Sequence, residues 1–164
     1  MAKHEIEEPV LIEYNQFTLL PFRSWPQKDL QLPKGLMWAG DGGALFRSGG
    51  TDHYAGVRVV VCPHEPPPDT TQPWELVEQG VFTCDDPQLV LVGATGRISD
   101  ARIELPAPGR YGIRAHCRGR EAAQKVNVGD GRGFPRGLES WLLQIWPVSG
   151  ITSAAAGADS CAGS

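Results

Sequence analysis

From Pro9 onward, apolar and polar side chains alternate with a period of two. Val10, Ile12 and Tyr14 fall on one side of Leu11 and Glu13, the pattern of a half-buried strand. Phe17–Leu20 extends it beyond Asn15-Gln16, and Pro21 and Pro26 bracket a loop that contains Trp25. Short apolar runs follow at Leu36–Ala39 and Ala44–Arg47, joined by the turn Gly40-Asp41-Gly42-Gly43. Gly56–Cys62 is the most continuous strand pattern, apolar on both faces around Arg58, as expected of a strand covered on both sides. Gln88–Val92 and Arg102–Leu105 read as further strands, as does Trp74–Thr83 despite a weak helical alternative. In Arg110–Arg118, Tyr111, Ile113, Ala115 and Cys117 are expected to face a core. Arg110, Arg114, His116 and Arg118 are expected to face solvent. Leu138–Val148 is apolar on both faces and predicts a central strand, favoured by its strand-like neighbours over a helix with Leu138, Trp141, Leu142 and Ile145 on one stripe.

The segments between these runs are turns and loops. Pro63–Pro73 holds five prolines in eleven residues, so it is predicted to be extended and outside any ladder. Residues 119–137 read as a long loop with at most one helical turn at Glu121–Lys125. Residues 1–8 are expected to be a flexible lead-in, 9–149 a single β-sandwich domain, and 150–164 a tail of small residues. With no repeating strand–helix alternation, the pattern predicts an all-β fold. We expect an antiparallel β-sandwich or jelly roll of about 8–10 strands, with long loops and at most one short helix.

Composition agrees. The chain has 164 residues, 20 glycines and 14 prolines, too many helix breakers for a helical bundle. Hydrophobic residues make up 41%, enough for a packed core. No apolar run is long enough for a membrane-spanning helix, and no secretory leader is evident, so a cytoplasmic protein with reduced thiols is expected. The net charge of −4 conceals a division. Residues 1–96 carry a net −7, whereas 97–136, with eight arginines and Lys125, carry +5. Such a division suits a charged protein partner. The acidic total argues against direct nucleic-acid binding, which draws its affinity from neutralising phosphates.

Motifs of catalysis are scarce. The glycine pairs at 40–43, 93–96 and 129–133 lack the lysine and following helix of a phosphate loop. There is no G-x-S-x-G and no H-E-x-x-H. No cofactor is implied. Cys62, His64, Cys84 and His116 form an alternative metal set if strand pairing gathers them. That set, with His53, supports an alternative reading as a small-molecule- or metal-binding β-sandwich enzyme. A third reading is a self-assembling module that buries Trp141 and Trp146 between subunits.

Ile12-Glu-Tyr14-Asn-Gln16-Phe17-Thr-Leu19 resembles the opening strand of the ComJ family, competence-associated nuclease inhibitors. Trp38, Asp41-Gly-Gly-Ala44-Leu-Phe46 and Leu105-Pro106…Gly109-Arg-Tyr111 are similar to later motifs of that family. The Pro-rich 63–73 segment and Trp141–Pro147 depart from its pattern. The resemblance implies a β-sandwich that binds a nuclease or toxin through complementary charge and has no catalytic residues. Glu65, Asp69, Glu75, Glu78, Asp85 and Asp86 cluster in the sequence, and Trp74 and Phe82 lie among them. These eight are the expected partner-binding residues, with the aromatics as anchors.

Overall fold

The computed structural model describes residues 4–23, 30–126 and 133–148. The loop around Trp25, the glycines at 129–132 and the tail 150–164 lie outside the described residues. Among the described residues ten strands form two five-stranded sheets packed face to face. The strands are β1 (His4–Ile12), β2 (Gln16–Pro21), β3 (Met37–Gly40), β4 (Gly43–Arg47), β5 (His53–Val61), β6 (Leu76–Cys84), β7 (Gln88–Gly93), β8 (Ile103–Glu104), β9 (Gly109–Arg118) and β10 (Arg136–Pro147). One sheet has the order β1-β5-β10-β9-β6 and the other β3-β4-β2-β7-β8. Among the described residues a single short helix, α1 (Arg120–Gln124), follows β9.

The expected sandwich is therefore the architecture, with one refinement. All pairings are antiparallel except that of β10 with β5, which is parallel. β10 is the central strand of its sheet, as its two apolar faces predicted. Trp141, Leu143 and Ile145 point into the inter-sheet core. Leu142 and Trp146 join Val60 and Cys62 in a second cluster on the outer face. The lead-in expected over residues 1–8 is instead strand from His4 onward, in continuous register with β5 and held by the Glu5–Arg58 ion pair.

The core is centred on aromatic contacts between the sheets. Phe17 stacks on Phe46 at 4.8 Å, and the Trp141 ring meets both edge-on at 5.1 and 5.7 Å. All three are fully or almost fully buried. Edge-on and offset contacts of this kind add to what their buried area contributes.

The largest departure from the sequence pattern is on β9. Arg114 and His116 were expected to face solvent, yet both are buried. Residues 62–75 connect β5 to β6, and β10 and β9 lie between those strands in the sheet. The Pro-rich connection therefore crosses the outer face of the sheet and covers these two side chains.

Truncation of Phe17 to Ala is expected to lower stability by about 3–5 kcal/mol, read by chemical denaturation. Phe82, also fully buried in the core, is expected to show a loss of the same order when truncated.

Candidate functional site

The eight expected partner-binding residues are distributed over three places. The first is the strap formed by residues 62–75. Its anchor is Arg114, only 4% exposed. Its guanidinium donates to the carbonyl of Pro66 at 2.6 Å, to Gln144 Oε1 at 2.9 Å, to Gln79 Oε1 and to Glu65 at 3.2 Å. The Trp146 ring lies 5.1 Å from it. Gln144 Nε2 donates to the Pro67 carbonyl. Asp69 donates its amide to His116 Nε2 at 3.0 Å and accepts from Trp74 Nε1 at 2.7 Å. An amide can only donate, so His116 Nε2 is the acceptor and Nδ1 carries the proton donated to the Leu142 carbonyl. Glu65, Asp69 and Trp74 are thus bound into the strap.

The second place is the length of β6. Glu75, at its start, accepts from the amides of Gly119 and Arg120. Glu78 accepts from the amides of Leu36 and Met37 and ties β6 to the opposite sheet. The Phe82 ring is core, 0% exposed, so it presents no surface to a partner. The third place is the β6–β7 turn, where Asp86 is buried and accepts from the amides of Arg23 and Gln88, while Asp85 is exposed. Glu75 and Asp85 lie roughly 30 Å apart along the strand at ~3.3 Å per residue. The acidic run is one cluster in sequence and three separate places in the fold.

Cys62, His64, Cys84 and His116 are likewise not brought together. Cys62 and His116 belong to the outer face, and Cys84 to the inter-sheet core. No group of three or more His, Cys, Asp or Glu side chains placed to hold a metal occurs among the described residues. Burial pushes the Cys84 and Cys117 thiols above their ordinary value, which keeps them protonated.

A site the sequence did not reveal lies at one end of the sandwich. Glu139 on β10 is fully buried, yet its carboxylate is well supplied with donors. Oε1 accepts from the Ser48 hydroxyl and from Trp141 Nε1, both at 2.7 Å, and Oε2 accepts from the Gly49 amide at 2.8 Å. Ser48 Oγ is also 3.1 Å from His53 Nε2 and accepts from the Gly50 amide. Because the serine proton goes to Glu139, His53 donates through Nε2, and its Nδ1 is buried with no partner. In a hydrolytic triad the carboxylate orients the far nitrogen of the imidazole. Here it grips the serine, so the arrangement holds a loop in place. That loop is pressed under α1: a Cβ on Gly50 would stand 1.9 Å from the Ala123 carbonyl oxygen.

Above this loop is a cleft of about 900 Å³ between the β1–β2 turn, the end of β4, the start of β6 and α1. Its lining includes Tyr14, Leu32, Arg47, Leu76 and Arg120. Tyr14 and Asn15 form a two-residue hairpin turn with φ of 55° and 59°. This left-handed geometry favours Asn-Gly over a bulky ring. Tyr14 is nevertheless there, 75% exposed at the rim. The signal for the buried network was Glu139 itself, a lone carboxylate beside Trp141 in an otherwise apolar strand.

These features define a two-sheet β-sandwich with a cleft at one end and a proline-rich strap across one face. No protein-family model matches the sequence, and no curated protein matches it by sequence. Two solved structures share the fold. ComJ from Bacillus subtilis, described as an inhibitor of the DNA-degrading activity of NucA, superposes with a TM-score of 0.63. It has 14% identity and covers 90% of this chain and 100% of its own. A protein described as crocagin biosynthetic gene J gives a TM-score of 0.57 at 14% identity, over 91% of this chain and 100% of its own. The ComJ-like architecture expected from the short motifs is thus the fold. No helix among the described residues is long and apolar enough to cross a membrane.

Two measurements probe the strap and the loop. Arg114→Met leaves the strap carbonyls without their donor, at a cost of about 1–3 kcal/mol. The Asp69 amide should then lose protection in hydrogen exchange before the core strands do. Burial also holds the pKa values of His53 and His116 below the ordinary imidazole value, outweighing the raising influence of Glu139 on the first and of Leu142 and Asp69 on the second. The unfolded chain therefore binds protons that the folded chain refuses. Their contribution to stability is complete above the unfolded value of about 6.5 and declines as pH falls below it. Denaturation midpoints at pH 7.5 and pH 5 should show that decline, and His116→Gln should reduce its slope.

Proposed function

We propose that the protein is a binding module that neutralises a nuclease or toxin by docking on it through complementary charge. The observation that carries this reading is where the exposed apolar surface lies. Seven large hydrophobic residues are exposed among the described residues: Tyr14, Leu32, Leu76, Val77, Val81, Ile98 and Phe134. Tyr14, Leu32 and Leu76 line the cleft, and Val77 and Val81 continue from it along the edge strand β6. Concentration of apolar residues beside charged ones marks a surface that meets another protein.

The likeness to ComJ supports the choice of partner, because it spans the whole of a chain described as a nuclease inhibitor. The partner-binding face is then the cleft rim with the adjoining stretch of β6, flanked by Glu75 and, at the far end, Asp85. Glu65, Asp69 and Trp74 contribute by shaping the neighbouring strap. Phe82 acts only through the core.

The test is a DNA-cleavage assay with the DNA-degrading nucleases of the source organism, each purified singly. Added protein should suppress cleavage by one of them at equimolar ratio and co-elute with it as a complex. Undiminished cleavage by every such nuclease in the presence of a large excess of protein would overturn the reading. Val77→Asp should weaken the suppression while leaving the denaturation midpoint nearly unchanged, since that side chain is already 45% exposed.

A further inference from the structure

We infer that the cleft seats an acidic segment of the partner protein, whose carboxylates are read by Arg47 and Arg120. The inference rests on the binding reading above and names the chemistry of its docking site. It also reverses the sign suggested by the sequence, in which the chain's own acidic run met a basic partner.

The argument is one of charges left over after internal pairing. The carboxylates that line the cleft are engaged. Glu75 accepts two backbone amides, and Glu121 pairs with Lys125 at 3.1 Å. The guanidiniums meet only neutral acceptors. Arg47 donates to the Pro33 carbonyl at 3.4 Å, and Arg120 to the Arg47 carbonyl at 2.8 Å and to Cys117 Sγ. Among the described residues, neither has a carboxylate partner. Each planar guanidinium has donors in hand for a carboxylate, and such charge-assisted forks are the stronger and more directional kind of hydrogen bond.

The fold also holds these two groups together. The contact from Arg120 to the Arg47 backbone fixes the start of α1 against the end of β4. Glu139 fixes the adjoining Ser48 and Gly49 from beneath. Tyr14 and Leu32, 75% and 73% exposed, stand at the rim and are placed to pack on the backbone and aliphatic stems of an inserted chain. A cleft of about 900 Å³ is large enough for several residues. Its combination of two cations and apolar rim residues suits an extended peptide with carboxylate side chains.

The probe is an acetylated, amidated hexaglutamate peptide, titrated into the full-length protein and followed by amide NMR shifts. Shifts are expected at Tyr14, Ser48, Gly49 and Arg120, with affinity that falls as salt rises. Arg47→Ala with Arg120→Ala should weaken binding roughly tenfold or more. The double Lys variant should recover part of it, which separates loss of charge from loss of fold. Arg110→Ala, removing an exposed arginine outside the cleft, should change nothing. Shifts confined to other surfaces, an unaltered affinity in the double Ala variant, or equal binding of a single-stranded oligonucleotide in the cleft would overturn the inference. Nuclease suppression that survives the double Ala variant would overturn it as well, while leaving the binding reading intact. Peptide bound in the cleft without suppression of any nuclease would instead sink the binding reading alone.

Discussion

A single buried carboxylate organises the cleft end of this molecule. Glu139 sits between the sheets where a bare charge would be prohibitively costly, and it is tolerated because three donors converge on it. Those donors come from Ser48, Gly49 and Trp141, so one side chain ties the end of β4 to the central strand β10. The loop after β4 is thereby held low enough for α1 to lie across it. The position of α1 in turn sets Arg120 against Arg47 and forms one wall of the cleft. Without the carboxylate the loop loses its tie to β10 and keeps only its contacts to the β1–β2 turn, to His53 and to α1.

Arg114 performs the complementary task on the other face. It is a buried cation whose donors are met mostly by backbone and amide oxygens. The proline-rich strap is stiff and poor in amide donors, so it cannot join a ladder and has to be held through its carbonyls. A guanidinium is suited to that, having five donors and no acceptor of its own to satisfy.

How much of this the sequence disclosed follows from what alternation can and cannot encode. β5 and β10 were legible because apolar residues on both faces have only one economical place, the interior of a covered sheet. Arg114 and His116 were misread for the opposite reason. Alternation assigns a polar residue to the other face of a strand, but it does not say whether another segment crosses that face. The acidic run from Glu65 to Asp86 misled in a related way. Neighbours in a strand point to opposite faces, and nine residues of ladder carried its ends far apart. The cleft was illegible because four separate stretches of chain build it, each unremarkable alone. Its nearest approach to a sequence signal was Tyr14-Asn15, a two-residue turn with a ring where glycine chemistry is favoured. The short motifs around Gln16 and Gly43 still pointed to the correct architecture, since they mark the hairpins that set the second sheet.

The place of β10 has a consequence for how the chain comes to be folded. The middle strand of the sheet β1-β5-β10-β9-β6 is the last of the described strands in chain order, and it separates β5 from β9. As the chain leaves the ribosome, β1 with β5 and β6 with β9 are each able to pair, but the two halves share no strand and are linked only by residues 62–75. They wait, with open edges, until residues 136–147 arrive and insert between them, parallel to one neighbour and antiparallel to the other. Closure of the sheet is therefore a late, long-range event, of the kind that makes folding slow and leaves unpaired strand edges exposed in the meantime.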